Sequence, residues 1–243
     1  MKAFGGKKPI ENRKLNTLSL NTSTNQYSVA VMKDEILLGE YILPSGPHYF
    51  NNLMPSIDDL LAKVGLTPQK LNGLIVALGP GSFTGIRIGL AVVKGLAQCL
   101  DIPIIGIPTL EAMANQLPHL HKDICPLVSS RKGEVFTSLF RWGANGSLVR
   151  CKKDTCLKIN ELSSIIENKT VFVGNDYNNQ GLIVQKQFDE KKILAPANLW
   201  NLKASSLGII GLKKLQKSDS DNLEELVPIY LRGADIRPPK KVS

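Results

Sequence analysis

The chain has 243 residues, so one large domain or two halves that share an interface are both compatible with its length. Hydrophobic residues make up 43% and charged residues 21%, which excludes a disordered or collagen-like chain. The formal net charge of +9 lies mainly at the ends: residues 1–14 carry +4 and residues 232–243 carry +3, which leaves +2 for the rest. Basic ends of this kind are typical of solubilising tails, and they also suit arms that contact RNA phosphates.

Apolar runs that would direct the chain to a membrane are not found in the sequence. The start has no stretch resembling a signal-peptide core, and no segment reaches about 18 uninterrupted apolar residues. Four cysteines without a CxxC pair indicate free thiols in a reducing compartment. We therefore expect a cytoplasmic protein without membrane association.

The first half alternates strand and helix patterns. LNTLSLN, YSVAVMK and ILLGEYIL predict three short strands joined by turns. Apolar residues at helical spacing from Phe50 to Val64 then predict a helix with Pro55 inside it. GLIVALG reads as a strand buried on both faces, and a glycine-rich loop and a helix to about Leu100 follow it. IPIIGI predicts another buried strand, followed by a helix capped by Thr109. The predicted order is β-β-β-α-β-α-β-α.

From about Asp123 the pattern partly restarts. ICPLVSS, GEVFTSLFRW and SLVRCKK predict three strands, followed by a helix near Asn160 to Glu167 and the strand TVFVG. A polar helix after Asp176 and a last helix from Asn201 to Gln216 complete the chain. These patterns predict a basic extension (1–14), a first half (15–118), a second half (119–235) and a basic tail (236–243).

The glycine-rich loop LGPGSFTGIRIG, Leu78 to Gly89, follows a strand and opens a helix. This is the geometry in which backbone N–H groups attract an anion, with Gly79, Gly81 and Ser82 as the candidate residues. The glycine spacing fits neither GxGxxG nor the P-loop. The alternative is that the glycines supply a positive φ and a close backbone approach at a sharp turn.

The helix after the loop is apolar on almost every side. Arg87, Lys94 and Gln98 fall within about 40° of each other on the helical wheel, and apolar or small residues occupy nearly all the rest. Such a helix needs cover beyond its own sheet. The cover is either a partner protein or the second half of the same chain. The small residues recurring every four positions from Gly85 favour close approach of a partner helix on that side.

The segment LGPGSFTGIRIGLAVVKGLAQCLDIPIIGIPTLEAMA closely resembles the signature segment of the bacterial TsaB (YeaZ) family. SSRKGEVF and VPIYLR fall where that family has similar segments. The resemblance implies an α/β fold of the actin, sugar-kinase and chaperone ATPase-like (ASKHA) class, with two ribonuclease-H-like halves and mixed sheets. It also implies a non-catalytic subunit that forms a heterodimer with a TsaD-like transferase making threonylcarbamoyladenosine in tRNA. A TsaE-like ATPase would join through the complex, and tRNA would be bound only indirectly.

In this family the partner surface is built from the first two helices, which agrees with the all-round apolar helix described above. The interface residues predicted on this basis are Tyr49, Leu53, Leu60, Gly85, Gly89, Val93 and Ala97.

The sequence departs from its relatives at positions that carry chemistry. Asn21 and Ser129 stand where the family usually has Asp, so the carboxylates that would steer a magnesium nucleotide are missing. Thr109 and Met113 match the two metal-binding histidines of the catalytic relative, and neither is a suitable ligand.

Two histidines close by, His119 and His121, are expected to be loop residues. We therefore predict no catalytic residue, no metal ligand and no cofactor. Two alternatives are a superfamily enzyme, either a sugar kinase or a glycoprotease-type peptidase, and an RNA-binding module that uses the basic tails.

Overall fold

The computed structural model describes residues 14–46, 50–119, 121–188, 190 and 192–232. Nearly all of the predicted basic extension and the whole of the basic tail lie outside these residues. Tyr49, one of the predicted interface residues, also lies outside them.

Five strands form the first sheet, in the order β3-β2-β1-β4-β5. Their bounds are β1 Asn16–Asn21, β2 Gln26–Lys33, β3 Ile36–Pro44, β4 Gly73–Ala77 and β5 Ile104–Ile107. The strands β1, β2 and β3 are antiparallel neighbours, whereas β4 runs parallel to β1 and β5 parallel to β4. The strand β4 is buried along its whole length, as its continuous apolar run predicts.

Three helices belong to this half: α1 Leu53–Lys63, α2 Phe83–Leu100 and α3 Thr109–Asn115, with 3₁₀ turns at Phe50–Asn52 and Pro68–Lys70. Pro55 is the third residue of α1, where no intrahelical hydrogen bond needs its missing N–H. The capping prediction for Thr109 is wrong, because Pro108 holds the N-cap position and Thr109 is the first residue of the helix.

The second sheet repeats the topology of the first. Its order is β10-β9-β6-β7-β8, formed by β6 Asp123–Ser129, β7 Glu134–Trp142, β8 Leu148–Lys158, β9 Thr170–Gly174 and β10 Lys192–Leu194. Here β6 and β7 take the places of β1 and β2, and β9 runs parallel to β6 as β4 does to β1. Two mixed sheets with this repeated topology confirm the predicted fold of two ribonuclease-H-like halves.

Helical structure in the second half differs in part from the predictions. The segment predicted as a helix near Asn160 is a 3₁₀ helix, Ile159–Ser164, and the polar helix is a π turn, Tyr177–Gly181, followed by α4, Leu182–Gln187. A 3₁₀ turn, Ala197–Leu199, precedes the last helix, α5 Ala204–Gln216. The helix α5 returns to pack on β1 and β2 of the first sheet.

The first sheet is therefore covered on both faces. Leu74 and Val76 of β4 pack in one core with α1 and α2, whereas Ile75 packs in a second core with α3 and α5. Close contact on the α5 side depends on Gly211, where a Cβ would lie 2.5 Å from Ile75.

The helix α2 is long and apolar enough to cross a membrane by length and composition alone, with a mean hydropathy of 1.3 over 18 residues. One third of this window is buried, and buried residues such as Leu90 and Val93 pack in the core with β4.

Candidate functional site

A buried asparagine is the last residue of β1. Asn21 is completely buried. Its Oδ1 accepts hydrogen bonds from the N–H of Ser23 at 3.0 Å and from the Ser23 hydroxyl at 2.7 Å. Its Nδ2 donates to Thr24 Oγ1 at 3.0 Å and to the carbonyl of Leu202 at 2.9 Å. The side-chain amide thus uses both its donors and both its acceptor positions within the chain.

Thr109 extends this network from the start of α3. Its hydroxyl donates to Ser23 Oγ at 3.0 Å and accepts from the N–H of Gly79 at 3.1 Å. Met113, one turn further on, is fully buried in the apolar core. Of the two positions that match the relative's histidines, Thr109 therefore belongs to a hydrogen-bond network and Met113 to the apolar core.

The end of β6 carries the equivalent network in the second half. Ser129 donates to Asn175 Oδ1 from its N–H at 2.9 Å and from its hydroxyl at 3.0 Å. Gln180 Nε2 donates to Ser129 Oγ and to Asn175 Oδ1, each at 3.1 Å. Asn25, in the β1–β2 turn, donates to the carbonyl of Asn175 at 3.2 Å and so links this turn to the second network.

These residues do not fit a magnesium nucleotide. Magnesium sites in proteins rely on one or two carboxylates, and here neutral side chains occupy both strand ends. Glu134, at the start of β7, has its carboxylate paired with Arg232. Among the residues that the structure describes, no group of three or more His, Cys, Asp or Glu side chains could hold a metal ion. His119 is an exposed loop residue as expected, with its ring stacked on Trp142 at 4.0 Å.

The glycine loop packs against the β1–β2 turn. The N–H of Ser82 donates to the carbonyl of Ser23 at 2.9 Å, and the Ser82 hydroxyl caps α2 by accepting from Gly85. A Cβ on Gly81 would lie 2.1 Å from the Ser23 carbonyl, and Gly79 has a φ of +99°. Because the amides of Gly79 and Ser82 already have partners, this geometry favours the sharp turn over the anion loop.

The small-residue row of α2 faces the chain itself. A Cβ on Gly85 would lie 2.0 Å from the Thr22 carbonyl, and one on Gly89 would lie 2.2 Å from Thr22 Oγ1. Val93 and Ala97 are buried in the same core. The prediction that this row faces a partner is therefore corrected, since close approach to β1 and its turn accounts for the small residues.

Two predicted interface residues of α1 need the same correction. Leu53 and Leu60 are 1% and 3% exposed, because they pack onto the first sheet. Met54 of α1, at 47% exposed, points outward instead.

The opposite side of α2 is open. We call this side the outer face of α2. Its exposed residues are Thr84, Arg87, Ala91, Gly95 and Gln98, with Lys94 half-buried beside them. Among the residues that the structure describes, none has an atom within 4 Å of a Cβ built on Gly95. The grouping of Arg87, Lys94 and Gln98 on the helical wheel was the sequence signal that marked this side.

A segment after α5 borders the outer face. We call residues 221–232 the C-terminal strap. Asp221 accepts from the N–H of Gly106 at 2.7 Å, and the N–H of Ile229 donates to the carbonyl of Leu78 at 2.8 Å. The Tyr230 ring stacks on Phe83 at 4.9 Å. Between the strap and α2 lies an open groove of about 550 Å³.

Comparison with known proteins agrees with this architecture. Residues 44–238 match the family model described as TsaD, tRNA N6-adenosine threonylcarbamoyltransferase. The structure of YeaZ from Pseudomonas aeruginosa superposes with a TM-score of 0.75 at 20% identity, covering 89% of this chain and all of that one.

Curated relatives extend the likeness to the sequence. The chain is 30% identical to the tRNA threonylcarbamoyladenosine biosynthesis protein TsaB of Bacillus subtilis, over 90% of this chain and 94% of the relative. The Haemophilus influenzae protein of the same name is also 30% identical, over 90% and 94% of the two chains. Identity at this level over nearly the whole length of both chains establishes that the chain belongs to the TsaB (YeaZ) family.

Proposed function

We propose that the chain is a non-catalytic subunit in the biosynthesis of threonylcarbamoyladenosine in tRNA, and that it acts by binding a TsaD-like transferase. The names of its relatives support the pathway. The observation that carries the non-catalytic role is the pair of neutral, internally bonded networks around Asn21 and Ser129. They occupy the strand ends at which an enzyme of this superfamily would need carboxylates.

The outer face of α2 is the surface that we assign to the transferase. Ala91 and Gly95 lie one turn apart and are exposed, so their small side chains allow another helix to come as close as about 8 Å. This row is flanked by three half-buried apolar residues, Ile88, Val92 and Leu96. A partner helix would bury more of their apolar surface, which favours binding. A TsaE-like ATPase and the tRNA would join through the transferase.

The alternative of a superfamily enzyme has less support. A metallopeptidase would need its histidine pair, and the matching Thr109 and Met113 are both fully buried. A sugar kinase would need a general base and a magnesium-binding carboxylate. Asn21 stands at one of the usual carboxylate positions, and its side chain is uncharged.

Reconstitution tests the proposal. The chain and the TsaD-like transferase from the same cell would be purified separately and assayed for modified tRNA in the presence of the remaining components. We expect product only when both proteins are present, and no phosphate release from ATP by the chain alone. Phosphate release by the chain alone that disappears when Asn21 or Ser129 is changed would contradict the non-catalytic role.

A further inference from the structure

The groove between α2 and the C-terminal strap has a defined chemical character. Leu90 and Ala91 of α2 form one side of it, and Val227, Pro228 and Tyr230 of the strap form the other. Val227 is 63% exposed, whereas its neighbour Leu226 is only 7% exposed and packs beside Gly106. The strap is thus anchored by Leu226 and presents an aliphatic side chain to the solvent at Val227.

Two cations line this groove. Arg87 and Lys94 are seven residues apart on α2, or about 10 Å along the helix axis, with Ala91 between them. Arg87 is held in place, because its Nε donates to the Tyr230 hydroxyl at 3.0 Å and its guanidinium lies 4.1 Å from the Phe83 ring centre. Within the described ranges, neither cation pairs with a carboxylate.

We propose that this groove is a docking site for an acidic, apolar helical segment of the transferase partner. An aliphatic side chain of that segment would lie between Ala91 and Val227, and its carboxylates would meet Arg87 and Lys94. This inference rests on the proposed function and extends it, because it makes the strap a second wall of the partner surface. Charge-assisted pairs at the two ends of the groove would set the register of the partner helix.

Charge argues against the other occupants. The residues that line the groove include two cations and no carboxylate, so a second copy docked groove to groove would bring another Arg87 and Lys94 against the same two cations. The chain beyond the strap carries Arg237, Lys240 and Lys241 against Asp235, so its net charge of +2 would be repelled as well. An acidic partner segment is the occupant that complements the two cations.

Two variants and two matched controls test the groove. Lys94→Glu reverses one cation, and Lys213→Glu makes the same change at an exposed site on α5, across the sheet. Val227→Asp charges the strap, and Val149→Asp changes a comparably exposed valine on β8, 50% exposed. The dissociation constant for the transferase would be measured by calorimetry at low and high salt, with thermal unfolding of each variant recorded.

We expect Lys94→Glu and Val227→Asp to weaken binding about tenfold or more, and the controls to stay within about twofold of the unchanged chain. Lys94→Glu should also reduce the salt dependence of binding. If the unchanged chain binds and both groove variants bind equally well, the docking site is wrong while the proposed function stands. If the unchanged chain does not bind the transferase at all, the proposed function fails and the groove proposal fails with it.

Discussion

The carbonyl oxygen of Thr22 lies so close to Gly85 that a Cβ at Gly85 would be only 2.0 Å away from it. The Thr22 carbonyl and the Gly85 Cα both belong to the backbone of buried residues. Neither can move aside without shifting β1 or α2. This contact fixes the orientation of α2 on the first sheet. It leaves Arg87, Ala91 and Gly95 on the outer side.

Gly85→Ala should destabilise the protein by about 1–3 kcal/mol, because the added methyl group overpacks a rigid contact. Gly95→Ala is the matched control in the same helix, since a Cβ there would meet no atom of the described part of the chain within 4 Å. The control should be neutral or should stabilise the helix by up to about 1 kcal/mol. Denaturant unfolding of both variants measures the difference, and equal stability of the two would contradict the observed packing of α2.

The sequence predicts that α2 exists, but not how it is rotated on the sheet. Its residues are apolar on almost every side, so periodicity cannot distinguish the core side from the outer side. The row from Gly85 to Ala97 suits close approach of a helix and equally suits close approach of the β1–β2 turn. Only the position of Thr22 decides between them, and that contact joins residues more than 60 positions apart.

The strand β10 is not predicted from the sequence for a different reason, because its three half-buried residues are too few to show a period.

Asn21→Asp should destabilise the protein at neutral pH by about 2–4 kcal/mol, because a buried carboxylate would face the Leu202 carbonyl oxygen in place of a donor. Burial would raise the folded-state pKa of this new carboxyl above its unfolded value. The protonated form is then favoured in the folded state. The loss of stability should therefore be absent below the unfolded pKa of about 4 and should grow as the pH rises above it.

Asn145→Asp is the control for this variant. Asn145 Oδ1 accepts from the N–H and the hydroxyl of Ser147, the same local arrangement as at Asn21, but in an exposed turn. We expect no measurable loss of stability from it. Urea unfolding at pH 4.5 and pH 7.5 compares the two variants. A loss for Asn21→Asp that does not depend on pH would rule out the buried-charge explanation.

The sequence shows that the two carboxylates are missing, but it does not show which hydrogen bonds the replacing side chains make. Asn21 and Ser129 stand out only through the resemblance to relatives that have Asp. The partners that use up their hydrogen-bonding capacity, Leu202 and Gln180, lie 181 and 51 residues away along the chain. No local pattern brings these positions together.

The four cysteines should fall into distinct reactivity classes. Cys99 and Cys151 are exposed and Cys156 is half-buried, whereas burial raises the pKa of the Cys125 thiol from 9.0 to about 12. A thiol that stays protonated is a poor nucleophile. At pH 8 a thiol reagent should therefore modify Cys99 and Cys151 rapidly and Cys125 only after denaturation. Rapid labelling of Cys125 in the native protein, located by peptide mass mapping, would contradict its burial.

The same pKa difference should act on stability at alkaline pH. The folded state holds the Cys125 proton up to about pH 12, whereas the unfolded state releases it near pH 9. Rising pH above about 9 therefore favours the unfolded chain through this residue. Cys125→Ala should show a smaller loss of stability between pH 8 and pH 10 than the unchanged chain. An equal loss in both proteins would mean that the thiol takes no part in it.

The central claim is that the outer face of α2 is the partner surface. The most direct test is to measure how tightly a Gly95→Trp variant binds the TsaD-like transferase. Trp has a higher helix propensity than Gly, so the variant should keep the fold while blocking close approach of another helix. Lys213→Trp, at an exposed position on α5 across the sheet, is the control. We predict that Gly95→Trp loses binding by about a hundredfold or more with unchanged thermal unfolding, and that the control binds normally. Undiminished binding by a folded Gly95→Trp protein would contradict the account.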